Sequence, residues 1–144
     1  MTQTLTFKNI EVAPVANFLN KLNLKNKASR GRTKLIKLLA TKNVEYNDDR
    51  KEVSDPYFKD GELLKDADGN IDKENEAKAR KVLEEIEQET AIIDFTEYSD
   101  KLKALYEAII NYPNEFSDSD AIIYDLLMDQ FELVFEDNEK KEEK

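Results

Sequence analysis

The chain has 144 residues, of which 40% are hydrophobic and 38% charged, and its net charge is -10. It contains no Cys and no His, which excludes disulfide staples, thiolate metal sites, the commonest general base and the commonest transition-metal ligand. Any catalysis would have to rest on carboxylates, lysines, tyrosines or hydroxyls alone, so the chain is expected to be no enzyme and to need no cofactor.

The length suits one domain with one modest core, since chains of this size hide roughly two-thirds of their unfolded surface. Gly 3 and Pro 3 leave few forced turns, so long helices form easily. The expected fold is mainly α: about five helices, a minor two-stranded β element and a protruding antiparallel helical arm over 28–89. The domain is expected to span 1–137, with a charged flexible tail over 138–144. The longest apolar runs are a few residues, as at Ala121-Ile122-Ile123-Tyr124, whereas a bilayer span needs about 20. Met1 to Leu5 lack the basic-then-apolar order of a secretory signal. No membrane association is expected, and the protein is expected to act where it is made.

In chain order, Thr4-Leu5-Thr6-Phe7 alternates like a short strand. Val15, Phe18, Leu19 and Leu22 then fall at helical spacing and predict a first helix over 11–22, with Pro14 in its first turn. Residues 23–26 read as a connection. Ser29 is a candidate cap for a long helix over 28–58, in which Leu35, Leu39, Tyr46, Val53 and Tyr57 recur at spacings of four or seven. Gly31 weakens that helix near its start, and Pro56 ends or kinks it. Two Asp-Gly pairs within 60–72 predict a hairpin or loop. A third helix over 73–89 turns Ala79, Val82, Leu83 and Ile86 inward and packs antiparallel on the second. Residues 91–95 are β-branched and apolar, and are the expected partner strand for 4–7. Thr96 is a candidate N-cap for a fourth helix faced by Tyr98, Leu102, Leu105, Tyr106, Ile109 and Tyr112, which Pro113 stops. Ser117-Asp118-Ser119-Asp120 nearly forms a capping box for a fifth helix over 118–136. Ile123, Leu126, Leu127, Met128, Phe131, Val134 and Phe135 give that helix more apolar surface than one core face needs.

The charge is strongly polarised. Residues 21–42 carry Lys21, Lys25, Lys27, Arg30, Arg32, Lys34, Lys37 and Lys42 with no acid, a charge of +8, which leaves -18 on the rest. Arg30, Arg32, Lys34 and Lys37 could pair with acids of the third or fifth helix, meet an acidic protein, or contact phosphates. No aromatic residue lies in that segment, so base stacking has no support there and a nucleic-acid partner is not expected. The acids Glu84, Glu85, Glu87 and Glu89, with Asp118, Asp120 and Asp125, either keep helices soluble or mimic a phosphate backbone. Asp66 to Asp72 resembles the opening of an EF-hand loop, but Ile71 stands at the sixth position and Ala77 at the twelfth, where Gly and Glu are required. It therefore reads as a polar turn, and no metal site is assigned. Tyr57 and Phe58 form an aromatic pair on the arm suited to a binding hot spot, and Phe131 and Phe135 are candidates for the surplus apolar face.

Leu5-Thr6-Phe7-Lys8-Asn9, Val15-Ala16-Asn17-Phe18-Leu19, the run from Lys27 to Leu39, the Asp68-Gly69-Asn70 turn and the Glu-rich return helix together form a longer pattern. The pattern resembles an uncharacterised family of small proteins encoded by phages and prophages of Gram-positive bacteria, a domain of unknown function. The resemblance supplies no site residues. It implies a phage product acting in the cytoplasm of a bacterial host or in the virion. The leading functional expectation is a non-enzymatic phage accessory protein that binds a phage structural or host protein, in virion or tail assembly or in host interaction, with homo-oligomer formation open. The alternatives are an acidic, DNA-mimic-like inhibitor of a host nucleic-acid enzyme, and a phosphate-backbone binder through residues 21–42.

Overall fold

The computed structural model describes residues 2–142, with side chains described over 2–136. Strand β1, Thr4–Lys8, pairs antiparallel with β4, Thr90–Asp94, in the register Leu5↔Ile93 and Phe7↔Ala91. Strand alternation sends these four side chains to one face, where all are buried, while Ile92 points outward. The expected pairing of these two segments is found. The bond from Gln3 N to Thr96 Oγ1, 2.8 Å, fastens one end of the ladder. Thr96 therefore ties β1 to the chain after β4 and does not cap a helix. It opens a 3-10 turn, Thr96–Tyr98, that leads into α4, Ser99–Ile110.

β1 runs directly into α1, Asn9–Asn20, two residues earlier than the spacing predicts. Two contacts fix the early start. The Glu11 carboxylate accepts the Lys8 N–H at 2.7 Å, and Asn9 Nδ2 donates to the Ile86 carbonyl at 2.9 Å. Pro14 consequently sits in the second turn, exposed, where its missing N–H leaves the Ile10 carbonyl without its helical donor.

α2, Asn26–Ser54, is one continuous helix with two environments. Its first half buries Gly31, Leu35 and Leu39 against α1 and α4. Its second half leaves the main core and packs on α3, Lys73–Glu87, where Tyr46, Ala79 and Ile86 are buried. The expected stripe on α2 continues as far as Tyr46, while Val53 is 36% exposed. Ser29 lies one turn inside α2, because the helix begins at Asn26 with Lys25 as its capping residue. The α-ladder ends at Ser54, since Pro56 has no N–H for the Glu52 carbonyl, and the chain tightens into a 3-10 turn over Asp55–Tyr57.

A two-residue hairpin follows, β2 (Phe58–Lys59) against β3 (Glu62–Leu63). Asp60 and Gly61 both have positive φ, 53° and 83°, as a twisted two-residue hairpin turn requires. The hairpin, α3 and the distal half of α2 make up the arm.

α5, Asp118–Glu142, lies against α1, α4 and β1. It passes the expected end near 136, because Glu and Lys are good helix formers. The last two residues of the expected tail fall outside the described ones. Leu127, Met128, Phe131 and Phe135 join the main core with Phe18, Phe95, Leu102 and Leu105.

Candidate interaction site

Four of the eight side chains singled out by sequence lie on α2 (Arg30, Arg32, Lys34, Lys37), two beside the hairpin (Tyr57, Phe58) and two in the core (Phe131, Phe135). Phe131 is 0% exposed and Phe135 5%. Phe135 stacks on Tyr106 at 5.4 Å between ring centres and lies 5.8 Å from Phe95. These two rings fill the core and cannot meet a partner unless α5 leaves the body, so the expectation of a surface role gives way to a packing role. The apolar side chains of α5 that do reach solvent are Ile122, 70% exposed, and Leu133, 60%.

The basic segment divides in the same way. The Arg32 guanidinium folds back onto the Leu22 carbonyl and Ser29 Oγ, closing the α1–α2 connection. Lys21 pairs with Asp120 on α5 at 3.0 Å, and Lys42 with Glu45 at 3.4 Å. Lys34 sits 5.2 Å above the Tyr98 ring, a cation–π contact that leaves its charge near the surface. Arg30 and Lys37 are exposed, and among the described residues neither has an ion pair. Arg30, Lys34 and Lys37 are spaced four and three residues apart, so they share one face of α2. The acids of α3 are partly engaged with its own cations, Lys78–Glu74 at 3.4 Å and Arg80–Glu76 at 3.2 Å.

The Asp66 loop is a closed turn. Asp66 Oδ1 accepts the Asp68 and Asn70 N–H groups at 2.9 and 3.1 Å, and Gly69 takes φ 83°. That carboxylate is therefore turned onto its own backbone, as in an Asx turn.

At the tip of the arm the chain forms an open cleft of about 410 Å³. Phe58, Leu63, Ala79 and Leu83 provide its apolar lining, and Glu76, Arg80, Glu84 and Glu87 its charged lining. Local rules position each part. The Asp60-Gly61 turn sets Phe58 opposite Leu63, so both side chains leave the hairpin on one side. Asp72 caps α3, its Oδ1 accepting the Glu74 and Asn75 N–H groups at 3.0 and 3.2 Å. Asn75 Nδ2 then donates to the Tyr57 carbonyl at 2.9 Å and locks the hairpin to α3. Glu76, Ala79, Arg80, Leu83, Glu84 and Glu87 recur every three or four residues, so they line one side of that helix. Phe58, Leu63 and Leu83 are only half-buried. Arg80 already pairs with Glu76, so Glu84 and Glu87 leave the rim negative.

Over residues 3–142 the chain matches the model of a family described as a protein of unknown function, DUF1617. The chain belongs to this family. Compared with curated proteins and with solved structures, it has no significant match. The family description names no activity, so the chemistry of this DUF1617 chain has to be read from its own residues.

The Tyr46 phenol is pushed above its ordinary range, first by burial and also by Glu87, while Arg50 opposes the rise. Tyr46 therefore stays a neutral phenol, with the Arg50 guanidinium 5.5 Å from its ring centre. Asp94 is held below the usual carboxylate range by hydrogen bonds from the Thr96 hydroxyl and N–H, at 2.7 and 3.0 Å. Both groups act on local structure. Sequence reasoning identified Phe58 but missed Leu63 as its partner. The signal was available: a two-residue turn at Asp60-Gly61 places residues 58 and 63 opposite each other.

Proposed function

We propose that this DUF1617 protein is a non-enzymatic phage accessory protein that works by holding another protein in its tip cleft. The observation that carries this reading is the cleft itself: an apolar floor left half-open, with charged residues around it. A half-open aromatic side chain on an apolar concave floor suits the core of a protein interface, because a partner side chain completes its desolvation. Membership of a family of unknown function adds no activity to it. The phage setting rests on the sequence resemblance, which implies action in the cytoplasm of the bacterial host or in the virion.

A second reading has a specific observation in its favour. Residues 45–89 carry sixteen acids against eight bases, and Glu84, Glu85 and Glu89 are exposed. Such an arm suits an acidic inhibitor that occupies the basic groove of a nucleic-acid enzyme. One capture experiment separates the two. Tagged protein is recovered from phage-infected cells and compared with Phe58→Ser and with a variant in which Glu85 and Glu89, which lie outside the cleft lining, become Gln. Loss of the partner with Phe58→Ser, helix content being retained, supports the cleft reading. Loss only with the neutralised acids supports the inhibitor, and indifference to both overturns the two together.

A further inference from the structure

We propose that the tip cleft of one molecule receives the solvent face of α2 from a second copy, joining the molecules head to tail. The inference rests on the reading of the cleft as a protein-binding site and names its occupant.

The two surfaces are complementary in shape class and in charge. The cleft runs along one side of α3 beside the hairpin, with Phe58, Leu63 and Leu83 as its floor and Glu84 and Glu87 on its rim. A groove of this kind takes an amphipathic helix, read at positions i, i+3 or i+4, and i+7. α2 offers such a face. Lys37, Ala40 and Val44 follow one another at three and four residues, and all are exposed, Val44 at 60%. Lys34 and Arg30 continue the same line toward the helix start. The face thus presents an aliphatic pair next to cations, against a floor of aliphatic and aromatic groups next to acids. Lys37 lies seven residues, or about 10 Å, from Val44, so one helix places both within the cleft's length along α3.

Charge also selects the occupant. Outside residues 21–42 the chain carries -18, so two copies repel each other in most orientations. The basic face of α2 is where a second copy's acidic arm finds attraction, and the like-charged remainder disfavours other pairings. The contact cannot close within one molecule. α2 turns Tyr46 toward its own α3, and Val44, two residues away, lies about 200° round the same rigid helix from it. Unlike surfaces meet, so the interface is heterologous and continues into a ring or a filament.

Sedimentation of the purified full chain over a range of concentration and salt tests this, with helix content measured for every variant. One variant, Lys37→Glu with Val44→Asp, removes the α2 face. Another, Glu84→Lys with Glu87→Lys, removes the cleft rim. The chain is expected to associate, less so at high salt, and each variant to weaken association by about 30-fold or more, the effect of losing a hot spot. An equimolar mixture of the two variants keeps one intact cleft and one intact face, so it is expected to form a dimer and stop there. A chain that is monomeric up to its solubility limit, variants that associate like the parent, or a mixture that stays monomeric overturns the proposal. If the chain is monomeric yet its capture of a phage or host protein still needs Phe58, only the self-docking fails. If it assembles but capture ignores Phe58, only the wider partner reading fails.

Discussion

Replacing Gly31 by Ala should destabilise the protein, although the same change in a solvent-facing helix stabilises it. In isolation Ala is favoured over Gly in a helix by about 1 kcal/mol. Here the helix crosses α4 at Gly31. An alanine Cβ would press on the Lys101 carbonyl oxygen, with the carbonyl carbon at 2.8 Å and Leu105 Cβ at 3.3 Å. The obstacle is backbone, so no rotamer change relieves it. α4 must withdraw by about half an ångström or more from a core in which Leu102 and Leu105 are 0% exposed. Overpacking of this kind costs about 1–3 kcal/mol, and the upper half of that range applies where backbone meets backbone. After the helix gain is subtracted, a net loss of about 1–2 kcal/mol remains, or about 3–8 °C in Tm for a chain of this size. Thermal unfolding followed by circular dichroism measures it. Ala40→Gly, at an exposed position of the same helix, gives the propensity alone and should lower stability by about 1 kcal/mol. A Gly31→Ala protein that melts higher than the parent would refute the close crossing of α2 on α4.

Two further outcomes follow from the packing and the strand ends. Phe131→Ala should cost about 3–5 kcal/mol in chemical denaturation, as a cavity in a closed core does, whereas a mild change in stability would mean that this ring faces a partner after all. Thr96→Val removes the hydroxyl hydrogen bond, the larger of the two that depress Asp94, and leaves the one from the backbone N–H. A depressed folded pKa stabilises above the unfolded value of about 3.9 and loses that contribution as pH falls through the folded value, so the gap in Tm between parent and variant should narrow as pH falls below the ordinary carboxylate range, and a gap that is flat with pH would discount the Asp94 charge.

Pattern made the β element legible, because Leu5 and Phe7 alternate, as do Ala91 and Ile93, and only one face of each strand is buried. Local chemistry made the hairpin legible through Asp60-Gly61. The limits of pattern show in α5. Its spacing reports that Phe131 and Phe135 are buried, but a 3.6 period does not say whether a core or a partner buries them. Gly31 marks a different limit. In sequence it is a weak point in a helix, and its actual value, room for a second backbone, depends on a residue 70 positions away, Lys101. Thr96 deceived for the same reason, since a threonine before an acid suits a cap, yet its hydroxyl is taken by the strand end at Gln3. The cleft was half-visible: Phe58 was an evident aromatic, but Leu63 and the acidic side of α3 become its neighbours only once the hairpin closes.

Because α2 is a single unbroken rod of 29 residues, body and tip share one rigid lever. It is seated in the core from Gly31 to Leu39, and some 15 residues of shaft, about 22 Å, extend beyond that seat. A tilt of about five degrees there sweeps the tip through about 2 Å. A displacement of the far end is therefore felt as torque on the Gly31–Leu39 seat, about 22 Å away.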